Sequence, residues 1–121
     1  MQEQITFLLS EDFLAKDSFD VPALYQELNR NIKSVENLLV SYHFKTRGRV
    51  FNVTIDDSSL KLLQPLMGRF LVNYTIGQFN ACADVDFSEK ASMEMLIDLD
   101  PQNKKAIITG EFIPEREPDE F

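Results

Sequence analysis

Three carboxylates are the residues whose type and spacing first suggest chemistry. Asp84, Glu94 and Glu111 fall at outward positions of segments that alternate between apolar and polar residues. The predicted turns align these acids in a row across neighbouring antiparallel strands. The simplest interpretation is a solvated negative face, and the functional one is a contact surface for a basic protein. A paired-carboxylate catalytic site or a cation site is the third, but both need a pocket that a flat sheet lacks.

Apolar side chains are interspersed with these acids on the same predicted face. The period-two alternation directs Leu71 and Ile113 outward as well, as expected for strands with one buried and one solvated face. The residues that we predict to form a partner-binding surface are Asp84, Glu94, Glu111, Asp98, Leu96 and Ile107.

The chain has one histidine and one cysteine, which are the usual candidates for nucleophilic, acid–base or metal chemistry. His43 is predicted to face outward on a strand, opposite Asn52, and Cys82 is predicted to face outward on another strand. Neither has a base, a second thiol or a glycine-rich turn beside it in sequence, as a nucleophile or ligand requires. We therefore predict no catalytic residue, no cofactor and no metal ligand, and a protein that is not an enzyme.

A basic hairpin supports an alternative function. Lys45, Arg47 and Arg49 surround its predicted turn, although the neighbouring aromatic residues fall on the inner face, which favours a core role for them. The end of the chain, Glu115–Phe121, resembles the acidic, Phe-terminated tails of single-stranded DNA-binding proteins, which recruit partners. That resemblance covers only these last residues, and it implies a nucleic-acid-associated protein. A tail that only increases solubility is the other interpretation.

Composition narrows the classes of function. The chain has 121 residues, enough for one domain with its own core, and a formal net charge of −8. This charge disfavours nucleic acid and anionic membranes as partners and favours a basic protein. The start Met1–Gln4 lacks a basic region, and no apolar run is long enough to span a bilayer. A cytoplasmic protein with no membrane contact is the expectation.

The elements that would position these residues begin with a strand at Ile5–Leu9. Asp20 and Pro22 predict the start of an amphipathic helix over Val21–Ile32. A second short helix is predicted over Ser59–Gln64. The rival interpretation is one kinked helix that continues to Tyr74.

The remaining segments predict strands. Leu38–Phe44 and Phe51–Ile55 alternate in polarity and form a hairpin about Arg47-Gly48. Residues Arg69–Ile113 read as a four-stranded meander with turns at Gly77-Gln78, at residues 88–90 and at residues 101–104. The cross-strand pairs that follow include Val72 with Ala83, Phe70 with Val85, Val85 with Met93, Leu99 with Ala106 and Met93 with Phe112.

The predicted fold is an α+β domain over residues 1–113, with a mostly antiparallel sheet and two helices on one face. Its order is β-α-β-β-α-β-β-β-β, which is ferredoxin-like in the first six elements, and a C-terminal meander follows. Ala106 and Gly110 leave room for a helix on the inner face. Residues 114–121 are expected to be an acidic, disordered tail.

A non-enzymatic interaction module, such as an inhibitor, an immunity-type protein or an adaptor, is the leading hypothesis. The nucleic-acid-associated protein is second. A small-molecule-binding domain or enzyme, with Met93 and Met95 lining a pocket between helices and sheet, is third. The oligomeric state does not follow from the sequence.

Overall fold

A computed structural model of the chain describes residues 2–43, 49–80 and 85–113. The described residues form three helices and one antiparallel sheet with the strand order β1-β5-β4-β3-β2. The α+β class and the antiparallel sheet are therefore confirmed. In chain order the elements are β1 (Gln4–Leu8), α1 (Glu11–Leu14), α2 (Val21–Arg30), α3 (Ile32–His43), β2 (Arg49–Gln64), β3 (Met67–Asn80), β4 (Val85–Asp100) and β5 (Lys105–Thr109).

Helix α2 begins where its capping residues predict. The Asp20 side chain accepts a hydrogen bond from the Ala23 backbone N–H at 3.0 Å, and Pro22 lies in the first turn. An N-cap carboxylate satisfies a donor that the helix itself cannot pair. The helix ends at Arg30, two residues before the predicted boundary, because Asn31 caps it and α3 begins at Ile32.

The strand predicted over Leu38–Phe44 is wrong for residues 38–43, because these residues belong to helix α3. Val35, Leu38, Leu39 and Tyr42 are the buried residues of this helix and recur at helical spacing. The alternation of Leu38, Val40 and Tyr42 was therefore coincidental, and Val40 is 41% exposed. Phe44 and the predicted turn at Arg47-Gly48 lie outside the described residues.

The helix predicted over Ser59–Gln64 is also wrong, because β2 continues to Gln64. A bulge in this strand places four residues, 57–60, opposite the single residue Phe70 of β3. The Ser59 hydroxyl holds the bulge by donating to the Asp56 carbonyl at 2.6 Å and accepting from the Leu71 N–H at 2.8 Å. The rival kinked helix is wrong too, since β3 begins at Met67. The order β-α-α-α-β-β-β-β does not confirm a ferredoxin-like fold.

The meander has fewer and longer strands than predicted. Strand β3 continues through Gly77-Gln78, and β4 continues through residues 88–90, so neither is a turn. Val72 pairs with Met93 and Phe70 with Met95, instead of Ala83 and Val85. Both registers place apolar residues on apolar residues, so alternation alone could not separate them.

The last hairpin of the meander is confirmed over most of its length. Leu99 pairs with Ala106 and Ile97 with Ile108. Lys104 has a φ of 57°, a left-handed conformation in the turn before β5. The predicted pair of Met93 with Phe112 does not form, because β5 ends at Thr109 and Phe112 is 67% exposed.

The core lies between the helices and one face of the sheet, which we call the inner face. Helices α2 and α3 contact β2, and α3 also contacts β1, so the helical layer reaches both edge strands. The largest fully buried side chains are Phe13, Phe70, Leu24, Leu28, Leu39, Met95, Ile97, Ile108, Val35 and Val72. Burial of these apolar groups is the main force that holds the layers together.

The close approach of α3 to the sheet requires Gly110. A Cβ atom there would lie 2.5 Å from the Tyr42 ring, which makes any larger residue clash. The Tyr42 hydroxyl accepts from the Glu3 N–H at 2.9 Å and donates to the Glu111 carbonyl at 2.7 Å. The prediction that Gly110 admits a helix is confirmed, and Ala106 is buried on the inner face. Residues 114–121, the predicted tail, lie outside the described residues.

Candidate interaction face

The second face of the sheet, which we call the outer face, is not covered by any helix among the described residues. Four aliphatic side chains lie on it, one on each of four adjacent strands. The four are Leu71, Leu96, Ile107 and Leu8. Each lies between two buried neighbours in the chain, so each side chain points away from the helices. Leu96 is 37% and Leu8 75% exposed, and the other two are partly buried.

The strand registers place these four residues on one diagonal line, which we call the apolar stripe. Leu71 pairs with Glu94, which is two residues before Leu96. Asp98, two residues after Leu96, pairs with Ile107. Lys105, two residues before Ile107, pairs with Leu8. Each step crosses one strand and two residues, about 8 Å, so the stripe is roughly 25 Å long.

Charged and polar residues flank the stripe on both sides. Glu94, Thr109 and Thr6 lie along one side, and Arg69, Asp98 and Lys105 lie along the other. The outer face is therefore not uniformly acidic in the part of the chain that the structure describes. It has an apolar centre with a polar margin, the composition that distinguishes many protein interfaces.

Glu94 is the most strongly engaged of the flanking acids. Its Oε1 lies 3.6 Å from Arg69 Nη1, and this ion pair passes between Leu71 and Leu96. Its backbone N–H donates to Glu111 Oε2 at 2.6 Å. The predicted proximity of Glu94 and Glu111 is therefore confirmed. The predicted pairing of Glu94 with Asp84 is wrong, because the partner of Glu94 on the neighbouring strand β3 is Leu71. Asp84 itself lies outside the described residues.

A shallow cleft adjoins the stripe beside the bulge of β2. It has a volume of about 270 Å³, and its lining residues are Ser58, Ser59, Lys61, Arg69, Phe70, Leu71 and Glu94. Lys61 and Arg69 are cross-strand partners, which places two cations side by side. Glu94, which forms an ion pair with Arg69, lines the same cleft, so this end of the outer face carries charges of both signs.

His43 does not lie on the outer face. It is the last residue of α3, and its Nε2 lies 2.8 Å from the Tyr74 hydroxyl on the inner face. Burial lowers the pKa of the His43 imidazole and raises the pKa of the Tyr74 phenol. The predicted outward position opposite Asn52 is therefore wrong, because that segment is helical. Cys82 lies outside the described residues.

Sequence reasoning missed Glu27, a carboxylate that is only 3% exposed. Its two oxygens accept from the Ser10 N–H and the Ser10 hydroxyl, each at 2.7 Å, and Arg30 Nε lies 3.8 Å away. Glu27 thereby attaches α2 to the start of α1, where Ser10 is the N-cap. The signal was present, because Glu27 lies three residues after Leu24 on the buried side of the helix.

The structure describes some of the residues on which the alternative hypotheses rest. Lys45 and Arg47 lie outside the described residues, whereas Arg49 is exposed and Phe51 is 41% exposed instead of belonging to the core. Met93 and Met95 are buried in the core. Among the described residues there is no group of three or more His, Cys, Asp or Glu that could hold a metal ion.

None of the helices in the described ranges is both long and apolar enough to cross a membrane. Comparisons with protein-family models, with curated proteins and with solved structures find no match to this chain.

Proposed function

We propose that the protein is a non-enzymatic interaction module that binds another protein chain on its outer face. The observation that carries this proposal is the apolar stripe, because four aliphatic side chains are aligned on the face that no described helix covers. In a monomer these side chains would gain little by being apolar. In a complex, burial of the same side chains supplies the binding free energy.

The flanking charges support a selective contact. Of the predicted partner-binding residues, Leu96 and Ile107 lie in the stripe, and Glu94 and Asp98 lie directly beside it. Glu111 is held next to Glu94. Charges at the margin of an interface mainly determine the rate of association and exclude wrong partners. A basic partner remains the prediction from the net charge of −8.

The experiment compares two substitutions that place the same charge on different faces. Leu96→Asp puts a carboxylate in the stripe, and Val40→Asp puts one on an exposed position of α3 in the helical layer. Each purified variant serves as bait for its own chain and for proteins of the host extract. Any partner that is captured is then purified and titrated.

We expect Leu96→Asp to weaken binding at least tenfold, since an interfacial leucine is replaced by a charge that must lose its hydration. Val40→Asp should bind as the wild type does. Equal binding by wild type and Leu96→Asp would show that the outer face is not the docking surface.

A further inference from the structure

The charges beside the stripe are arranged so that they complement a rotated copy of themselves. At each diagonal step, the two residues on opposite sides of the stripe differ in charge or polarity. The step from Leu71 to Leu96 is flanked by Glu94 and Arg69. Thr109 and Asp98 flank the next step, and Thr6 and Lys105 flank the last.

We infer that the chain that docks on the apolar stripe is a second copy of this protein. This inference rests on the proposed function, and it replaces the basic partner expected from the net charge of −8 with a second copy, because the margin of the stripe carries charges of both signs. A two-fold axis along the stripe would place each aliphatic side chain against its own counterpart. The same rotation exchanges the two sides, so that Glu94 of one copy faces Arg69 of the other and the reverse.

The other steps satisfy the same rotation. Thr109 would face Asp98, and Thr6 would face Lys105, so that a hydroxyl meets a charged group in each case. A two-fold axis across the stripe gives the opposite result, because Asp98 would then face Asp98 and Arg69 would face Lys105. Like charges in contact oppose association, and this selects the axis along the stripe.

The ion pair between Arg69 and Glu94 would become part of a larger cluster. These side chains reach across the stripe within one chain, with 3.6 Å between their charged atoms. In the pair of copies, two arginines and two glutamates alternate around the axis. Charge-assisted hydrogen bonds of this kind are stronger than neutral ones, and partial burial reduces their screening by solvent.

The packing geometry agrees with known arrangements of sheets. The stripe is inclined roughly 35° to the strands, because each step crosses one strand spacing and two residue rises. Strands of the two copies would therefore cross at roughly 70°, nearer to the orthogonal than to the aligned class of sheet packing. Four partly exposed aliphatic residues predict a weak dimer, with a dissociation constant on the order of 10 to 100 μM.

The test is a charge exchange between two variants, read by sedimentation equilibrium of the full chain from about 5 to 500 μM. Arg69→Glu gives a face with acids on both sides, and Glu94→Arg gives one with bases on both sides. Each variant alone should dimerise at least about tenfold more weakly than the wild type, because each repelling contact occurs twice about the axis. An equimolar mixture should regain a species of twice the 14.0 kDa chain mass.

Restoration in the mixture supports the inference, since no change within a single chain can produce it. A wild type that remains at 14.0 kDa throughout overturns the inference. It leaves the proposed function in place and directs attention to a different, basic protein. A wild-type dimer whose variants do not complement each other excludes the two-fold axis along the stripe. A dimer that persists in Leu96→Asp contradicts both the inference and the proposed function.

Discussion

The two faces of the sheet are built from the same strands but meet different surroundings. On β4, Met95 is completely buried under the helices, whereas its neighbour Leu96 is 37% exposed on the outer face. The inner face is continuously apolar, and α2 and α3 cover it. In the described part of the outer face, four aliphatic residues lie along one diagonal, with charges on both sides. The difference indicates that the inner face specifies the fold and that the outer face is available for association.

The largest expected effect comes from placing a charge on the inner face. Met95→Asp puts a carboxylate at a completely buried position of the core, and we expect it to destabilise the domain by about 4 kcal/mol or more. Circular dichroism and urea titration of the purified variant provide the measurement. A variant with a wild-type denaturation midpoint would mean that Met95 does not face the core.

Removal of the buried carboxylate of the helical layer should have the next largest effect. Glu27→Ala leaves the Ser10 N–H and hydroxyl without their acceptor, and we expect a loss of about 3 kcal/mol in the free energy of unfolding.

The matched control is Glu36→Ala, which removes a glutamate whose ion pair with Lys33 is largely solvent-exposed. It should cost no more than about 0.5 kcal/mol. Equal losses in the two urea titrations would mean that Glu27 is not a structural acceptor.

Protonation of His43 should have a smaller effect on the stability of the fold, and this effect depends on pH. Burial lowers the pKa of its imidazole in the folded state, so the unfolded chain binds the proton first as the pH falls. Stability should therefore decrease below the ordinary histidine pKa of about 6.5 and continue to decrease down to the folded value.

In His43→Gln the part of this decrease that is due to His43 should disappear, while the part due to carboxylates remains. Melting temperatures of both proteins between about pH 5 and pH 7.5 test this. Identical slopes would contradict a lowered His43 pKa.

A charge on the outer face should affect stability far less than one on the inner face. Leu96→Asp should change the free energy of unfolding by no more than about 1 kcal/mol at low protein concentration, because the side chain is already partly hydrated. Comparison with Met95→Asp in the same urea titration defines the two faces. If both variants were equally destabilised, the outer face would be part of the folding core.

The fold class followed from the sequence because strict alternation identifies strands with one buried face. The N-cap at Asp20 and the pairing of Leu99 with Ala106 were also predicted correctly, because each depends only on residues that are close together in the sequence. The helix α3 was missed because Leu38 and Tyr42, four residues apart, fit both a two-residue and a helical period, and Val40 completed the apparent alternation although it is exposed on the helix. The long β3–β4 ladder was missed because alternative registers kept the same residues on the same face.

The candidate face was predicted only in part. Alternation placed Leu96, Ile107 and Leu71 outward, but the diagonal on which they lie depends on three strand registers. Two of these registers involve β1 and the long hairpin of β3 and β4, which no local pattern determines. The ion pair of Arg69 with Glu94 depends on the same hairpin. Long-range pairing is therefore what the sequence alone could not supply.

The most direct test of the account follows the methyl NMR signals of both faces in one dilution series of the wild type. Between about 500 and 10 μM, the signals of Leu8, Leu71, Leu96 and Ile107 should shift along a single binding curve. Leu24, Leu28, Ile97 and Ile108, which are buried beneath or within the helical layer, should not shift. Shifts confined to the buried set, or no shifts at all, would contradict self-association through the outer face.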